Sequence, residues 1–285
     1  MTCVLDAHDL RYRYPDGREA LRGLDLTIGH GERVAVLGPN GAGKTTFVFH
    51  LNGLLRGDGR LEVAGVEVED KSMRELRARV GLVFQDPDDQ LFMPTVRDDV
   101  AFGPLNLGLD RDRALVRVEQ ALAAVRMEHA VDRAPHQLSM GERRRVAIAT
   151  VLAMQPELLV LDEPTANLDP RARRELLQVL DRIDRTMLVV THDLPFAAEL
   201  CERAVILSAG RIVADGACCA ILADERLLSE HDLELPAGFD PSRVAPDGQS
   251  RALRLRQRSR TRASRGWEQQ ISALPSVGGS TGSGL

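Results

Sequence analysis

RVAVLGPNGAGKTTFVFHLNGLL, residues 33–55, carries a short apolar run into a loop of three glycines and a proline, then into apolar and polar positions at helical spacing. RVAVL reads as a buried strand and KTTFVFHLNGLL as a helix, so a strand, a glycine loop and a helix start meet at one point. Glycines let successive backbone N–H groups turn inward with no Cβ in the way. The helix N-terminus adds free donors and the positive end of its dipole. That combination makes a cradle for phosphate. Gly38, four residues, Gly43, Lys44 and Thr45 match the P-loop spacing in full, in which Lys44 reaches the β- and γ-phosphates of a nucleotide and Thr45 holds Mg²⁺. The nucleotide-binding residues expected from this segment are Gly38, Pro39, Asn40, Gly41, Ala42, Gly43, Lys44, Thr45 and Thr46.

Such a unit needs a parallel, helix-covered sheet around it, and further apolar runs supply the strands. These are VGLVF at 80–84, LLVLD at 158–162, MLVVT at 187–191 and AVILS at 204–208, separated by helical stretches. Residues 3–37 alternate at period two around the turn signals PDG and GHGE, which predicts a small antiparallel sheet beside the first core strand. From about Pro94 to Val151 the pattern turns helical, as in RALVRVEQALAAV and GERRRVAIATVLAM. The expected fold class is therefore α/β, a P-loop nucleotide hydrolase with a parallel core sheet, an N-terminal antiparallel β subdomain and a helical subdomain at about 94–151.

With 44% hydrophobic residues in 285, the chain can bury a sizeable core. Its longest apolar runs, such as LLVL and MLVV, fall far short of the roughly 20 residues that cross a bilayer, and no signal-peptide pattern opens the chain. A cytoplasmic protein is expected. Cys3, Cys201, Cys218 and Cys219 have neither zinc-ligand spacing nor a disulfide framework, so free thiols are expected. The net charge of −5 is unevenly placed: eight arginines against three acids follow Ala237, which leaves about −10 on the first 236 residues. The expected folded domain is 1–236, and 237–285 is an Arg-, Ser- and Gly-rich tail expected to be disordered. In it Arg254, Arg256, Arg258, Arg260 and Arg262 alternate with other residues and are expected to stay extended and solvated; the alternative is that their charges add attraction towards anionic lipid.

LLVLDEP puts Asp162 at the carboxyl edge of the sheet beside the glycine loop, where its carboxylate can hold Mg²⁺. Glu163 follows at once and is the candidate general base for the attacking water, a role that requires it to face the γ-phosphate.

Several further segments fall in the order and spacing of one family. LSMGERRRVAIA at 138–149, NLDP at 167–170, THD at 191–193 and Gln85 in VFQDPDDQLF, together with the motifs above, resemble the ABC transporter ATPase domain over residues 3–236. The resemblance implies ATP and Mg²⁺ as cofactors and a head-to-tail pair of ATPase subunits, whether a homodimer or a pair of paralogues. Ser139 and the Gly141 backbone would contact the γ-phosphate across the interface, as befits a helix start, and Asp169 would help join the two sites. His192 would contact the γ-phosphate from its own subunit. Gln85 would sense Mg²⁺ and the water while linking to the membrane partner, and Tyr14 would stack on adenine. Met140 and Glu142 depart from the common LSGGQ form of the signature, whereas the phosphate-facing Ser139 and Gly141 are kept.

FQDPDDQLFMPTVRDDVAFGPLNLGL, with HLNGLL and VAIATVLAMQPELLVLDEPTANLDP, is similar to the ATPase subunits of energy-coupling-factor importers, above all those of cobalt and nickel uptake. This implies a peripheral motor on the cytoplasmic face of the membrane, partnered by a transmembrane energy-coupling subunit and a substrate-specific membrane subunit. DPDDQLF would form a short helix lining the docking groove, with Leu91, Phe92 and Met93 as an apolar anchor beside Asp86, Asp88 and Asp89. The ATPase of another ABC importer class is the alternative. A soluble ATPase acting on nucleic acid is disfavoured, because neither a second ATPase domain nor a long coiled-coil insert is present.

Overall fold

The computed structural model describes residues 3–244. Ten strands and nine α-helices are found among them. The strands are β1 (Cys3–Arg13), β2 (Glu19–Gly29), β3 (Arg33–Leu37), β4 (Asp58–Val63), β5 (Val66–Glu67), β6 (Val80–Val83), β7 (Leu158–Asp162), β8 (Thr186–Val190), β9 (Arg203–Ser208) and β10 (Arg211–Ala217). The helices are α1 (Lys44–Leu51), α2 (Met73–Arg79), α3 (Val96–Asn106), α4 (Arg111–Ala124), α5 (Met140–Leu152), α6 (Pro170–Arg182), α7 (Leu194–Leu200), α8 (Cys218–Ala223) and α9 (Glu225–Glu230).

Six strands form the core sheet in the order β10-β9-β3-β8-β7-β6, parallel except for the β9–β10 hairpin. A second sheet, β2-β1-β4-β5, is antiparallel. β3, β7 and β8 are buried along their whole length, and apart from Arg33, Asp162 and Thr186 at their ends they are apolar, because successive side chains of a strand point to opposite faces and both faces are covered. Ala35, Leu37, Leu159, Leu161, Met187 and Val189 point into a core shared with the helical subdomain and α6–α8. Their neighbours Val34, Val36, Leu158, Val160, Leu188 and Val190 point the other way, into a core shared with the antiparallel sheet and α1. Each face of the sheet is therefore covered, as parallel strands require.

Most long helices begin on a side chain that the sequence supplies for that purpose. Thr95, Asp110, Ser139 and Asp169 accept backbone N–H groups at the starts of α3, α4, α5 and α6. The far end of α6 is held differently. Arg33, 1% exposed, donates from Nη2 to the carbonyls of Leu180, Asp181 and Ile183 at 2.9 to 3.0 Å. The guanidinium thereby satisfies carbonyls that a helix C-terminus leaves without partners.

The compact unit runs to Val244. Beyond residue 236, Pro241 is buried, Phe239 and Val244 pack on the core, and the Val244 carbonyl accepts from the Cys219 thiol. The expectation of disorder and of lipid attraction in the tail lies, from residue 245 on, outside the described residues.

Candidate nucleotide-binding site

A cleft of about 900 Å³ opens at the carboxyl ends of β3, β7 and β8, lined by the glycine loop, Tyr14, Gln85, Asp162, Glu163 and His192. Crevices outside the carboxyl ends of parallel strands are where such sheets bind ligands. The loop between β3 and α1 holds its shape through Gly38 and Gly43, at φ 148° and 108°. A Cβ at Gly38 would overlap the Leu207 carbonyl oxygen, and one at Gly43 would stand 2.5 Å from that of Ala20. Unlike α3 to α6, α1 has no side chain capping its start, and unlike α3 to α5 it has no acid in its first turn. Its free N–H groups face a site suited to an anion. Lys44 Nζ donates to the carbonyls of Gly38 and Pro39 at 2.7 and 2.9 Å, so the ammonium lies along the glycine loop. Burial lowers the Lys44 pKa against the opposing pull of Glu163 and Asp162. Phosphate oxygens would reverse that cost.

Asp162 ends β7, and Glu163 turns out of it at φ 44°, a left-handed conformation that glutamate rarely adopts. The Glu163 N–H still donates to the Val190 carbonyl at 2.8 Å, so the turn is pinned to β8. Glu163 Oε2 lies 2.8 Å from His192 Nδ1 and accepts from the His192 backbone N–H at 3.3 Å. The two side chains expected at the γ-phosphate are thus brought together. Asp162, Thr45 and Gln85 all line the cleft. One carboxylate, a hydroxyl and an amide suit Mg²⁺, which takes few protein ligands and relies on substrate oxygens. Among the described residues no cluster of three or more His, Cys, Asp or Glu has metal-binding geometry.

Burial, reinforced by the neighbouring Glu163 charge, raises the Asp162 pKa to about 6, and Lys44 and Arg144 only partly offset this. A carboxyl whose folded pKa lies above its unfolded value destabilises the protein while ionised. The penalty is full above the folded pKa and fades as pH falls from about 6 towards the ordinary value of 3.8. Asp162→Asn is therefore expected to stabilise the nucleotide- and Mg²⁺-free protein by about 1 to 3 kcal/mol at pH 7.5. The advantage should shrink between pH 6 and pH 4. Urea midpoints across that range check it, and an unchanged or lowered midpoint at pH 7.5 would remove burial as the cause.

Tyr14 lines the cleft with its hydroxyl 3.0 Å from Thr46 Oγ1. The Arg18 guanidinium lies 4.8 Å over its ring, and Tyr12 meets it edge-on. One face of the ring expected to stack on adenine is thus covered by a cation. Ser139, Gly141 and Asp169 do not line the cleft of their own chain. Ser139 caps α5 in a reciprocal box, its N–H and hydroxyl bonded to Glu142 Oε2 at 2.8 and 2.9 Å. The Ser139 backbone N–H bond leads the contacts that lower the Glu142 pKa. Asp169 Oδ1 accepts from the Arg171 and Ala172 N–H groups, both at 2.8 Å, which holds its carboxyl below the usual range.

The docking segment differs from expectation. DPDDQLF makes only a single 3₁₀ turn, Pro87–Asp89, and Leu91 is a core residue at 8% exposure. Leu91 joins the core cluster that holds Val96 and Val100 of the next helix. Phe92 is 63% exposed and packs edge-on against the exposed Phe102 of α3 at 5.1 Å, so Phe102 replaces Leu91 in the apolar surface.

Sequence reasoning missed the residues that hold these loops in place. Arg144, 1% exposed, donates to the Phe84 carbonyl at 2.9 Å and to that of Ala166 at 3.3 Å. Gln90 donates to the Ala147 carbonyl and the Thr150 hydroxyl while accepting from the Phe84 N–H. Buried Asp99 accepts from the N–H groups of Phe92 and Met93, both at 3.0 Å. The only signal for Arg144 was a run of three arginines that cannot all face water on one helix. Arg18, Asp232 and Leu233 also line the cleft and had no such signal.

Residues 21–166 match the family model described as "ABC transporter". The chain is 59% identical over 245 residues to a putative ABC transporter ATP-binding protein of Streptomyces coelicolor, covering 86% of this chain and 94% of that one. It is 47% identical over 240 residues to the energy-coupling factor transporter ATP-binding protein EcfA of Carboxydothermus hydrogenoformans, covering 83% and 88%. Among solved structures it is similar to cbiO1 from Clostridium perfringens, described as part of the ABC transporter complex cbiONQ. That match has a TM-score of 0.73 and 37% identity, covering 83% of this chain and 97% of that one. With a glycine loop at a helix start, a strand-end carboxylate pair and matches of this extent, the chain belongs to the ABC transporter family as one of its ATP-binding, ATP-hydrolysing subunits.

Proposed function

We propose that the chain is the motor subunit of an energy-coupling-factor type importer, acting on the cytoplasmic face of the membrane as one of a head-to-tail pair of ATPases. One observation carries this reading. The loop that opens with Gln85 in the cleft reaches an exposed Phe92–Phe102 pair only seven residues later. A single loop thereby offers both a sensor of bound nucleotide and an apolar anchor for a transmembrane energy-coupling subunit. No helix among the described residues is long and apolar enough to cross a membrane, so the path for cargo is assigned to partners. Cobalt or nickel ion, or a vitamin, is the proposed cargo, recognised by a substrate-specific membrane subunit.

In this reading Lys44 and the free N–H groups of α1 hold the phosphates, and Tyr14 receives the base. Glu163 accepts the proton of the attacking water while His192 steadies its carboxylate and faces the γ-phosphate. Thr45, Asp162 and Gln85 would hold Mg²⁺, which when bound neutralises charge on the phosphates. Ser139 and Gly141 act in the cleft of the second subunit, and Asp169 joins the two sites, consistent with their absence from the cleft of their own chain.

Phe92→Ser combined with Phe102→Ser tests the docking assignment. The double variant is expected to bind ATP normally yet recover at least about tenfold less membrane partner in pull-downs, the loss typical of an interface anchor. Recovery at wild-type yield would overturn it. Uptake of labelled Co²⁺ and Ni²⁺ by cells carrying the intact transporter, with Glu163→Gln as the inactive control, tests the cargo.

A further inference from the structure

On the side of the fold away from the carboxyl ends of the strands, a second cavity of about 380 Å³ lies between the end of α4 and the turn from α6 into β8. Four arginines line it, Arg117, Arg126, Arg182 and Arg185, with Asp184 as the one carboxylate among the described residues. Arg126 and Arg182 stand near helix C-termini, where a cation offsets the dipole. That explanation does not extend to Arg117, which sits in the middle of α4. Its Nη1 is buried and donates to nothing among the described residues. Arg185 faces it as a like charge, and both burial and this repulsion lower the Arg117 pKa. Arg126 adds a second irregularity, holding φ at 59° in a position after a helix end that glycine or asparagine normally takes. A buried donor without an acceptor, opposed by a second guanidinium, is a costly arrangement on a chain whose net charge is −5.

We propose that this cavity binds a phosphoryl-type oxyanion between Arg117 and Arg185. Guanidinium forks on two walls match the paired oxygens of such a group, and the cavity's volume exceeds that of a pyrophosphate. The neighbouring cavity continues the positive surface through Arg126, Arg145, Arg171 and Arg174 around Glu175. The ligand arrives either as a free anion or as the headgroup of an anionic lipid.

Titration of the full chain with pyrophosphate, the nucleotide cleft saturated with ADP, tests the site. Wild type is expected to bind and to melt at a higher temperature with the anion. Arg117→Gln and Arg185→Gln should each lose at least tenfold in affinity, whereas Arg226→Gln, which removes the same charge from an exposed helix, should lose none. Arg117→Gln removes an unsatisfied donor, so it should melt no lower than wild type in anion-free buffer. Arg185→Gln tests the site independently should the first variant misfold. Flotation on phosphatidylglycerol vesicles separates the sources: a loss of capture with pyrophosphate binding undetectable in wild type assigns the headgroup, and the reverse assigns the free anion. Equal pyrophosphate affinity and equal vesicle capture in wild type and both cavity variants would overturn the proposal.

Discussion

Glu163→Gln lowers ATP turnover by about 10²- to 10⁴-fold while ATP binding persists, the range lost with a positioned general base. The amide keeps the shape of the side chain and its reach towards His192, 2.8 Å away in the native protein, but cannot take the proton of water. Asp162 and Lys44 are left untouched, so the proposed phosphate contacts should survive. Bound ATP should then accumulate in a paired state visible by size-exclusion chromatography. Phosphate release measured with the membrane partner present is the decisive assay. Turnover within a few-fold of wild type would transfer the proton-accepting role to another group, His192 being nearest.

Lys44→Ala acts earlier, on binding. Removing the ammonium forfeits a charge-assisted contact worth about 1.5 to 3 kcal/mol, or about 10- to 150-fold in ATP affinity. It also leaves the Gly38 and Pro39 carbonyls without the donor that lies along them, so part of the loss comes from a looser loop. Calorimetric titration with ATP reads both effects together. The charge-conserving Lys44→Arg should not restore affinity, because a planar fork differs from a compact ammonium and the loop is closed by the Leu207 and Ala20 carbonyls. Wild-type affinity in Lys44→Ala would place the phosphates elsewhere.

What could be read in advance was whatever is local in the chain. Strands β3, β6, β7, β8 and β9 were marked by apolar runs that match them to within a residue or two, because a strand buried on both faces has no polar position to interrupt it. Glycine spacing marked the loop, and a strand ending in two acids marked the carboxylates, that line the cleft together. The order in which the strands pair is not local, nor is the depth at which a polar side chain ends up. Arg33, Arg144 and Asp99 are each at most 3% exposed, and each is held by backbone groups from distant or looping segments. Apart from the run of three arginines around Arg144, nothing in their immediate neighbours distinguishes them from solvated charges. Leu91 illustrates the reverse case: placed in an acidic loop it reads as a surface anchor, yet it completes the core under α3.

Arg144 also constrains how the molecule moves. Its guanidinium joins the carbonyl next to Gln85 to that of Ala166, three residues before Asp169, and its own backbone belongs to α5, whose first turn carries Gly141. Three segments therefore meet on one rigid, planar group: the loop that carries Gln85 and Phe92, the loop that leads to Asp169, and the helix that carries Ser139 and Gly141 at its start. Moving the first loop without the other two would break a hydrogen bond to a guanidinium that is 1% exposed, at the cost of a buried donor left without its acceptor. The two loops and the helix are thus tied together by a side chain that the sequence shows only as the middle of three consecutive arginines.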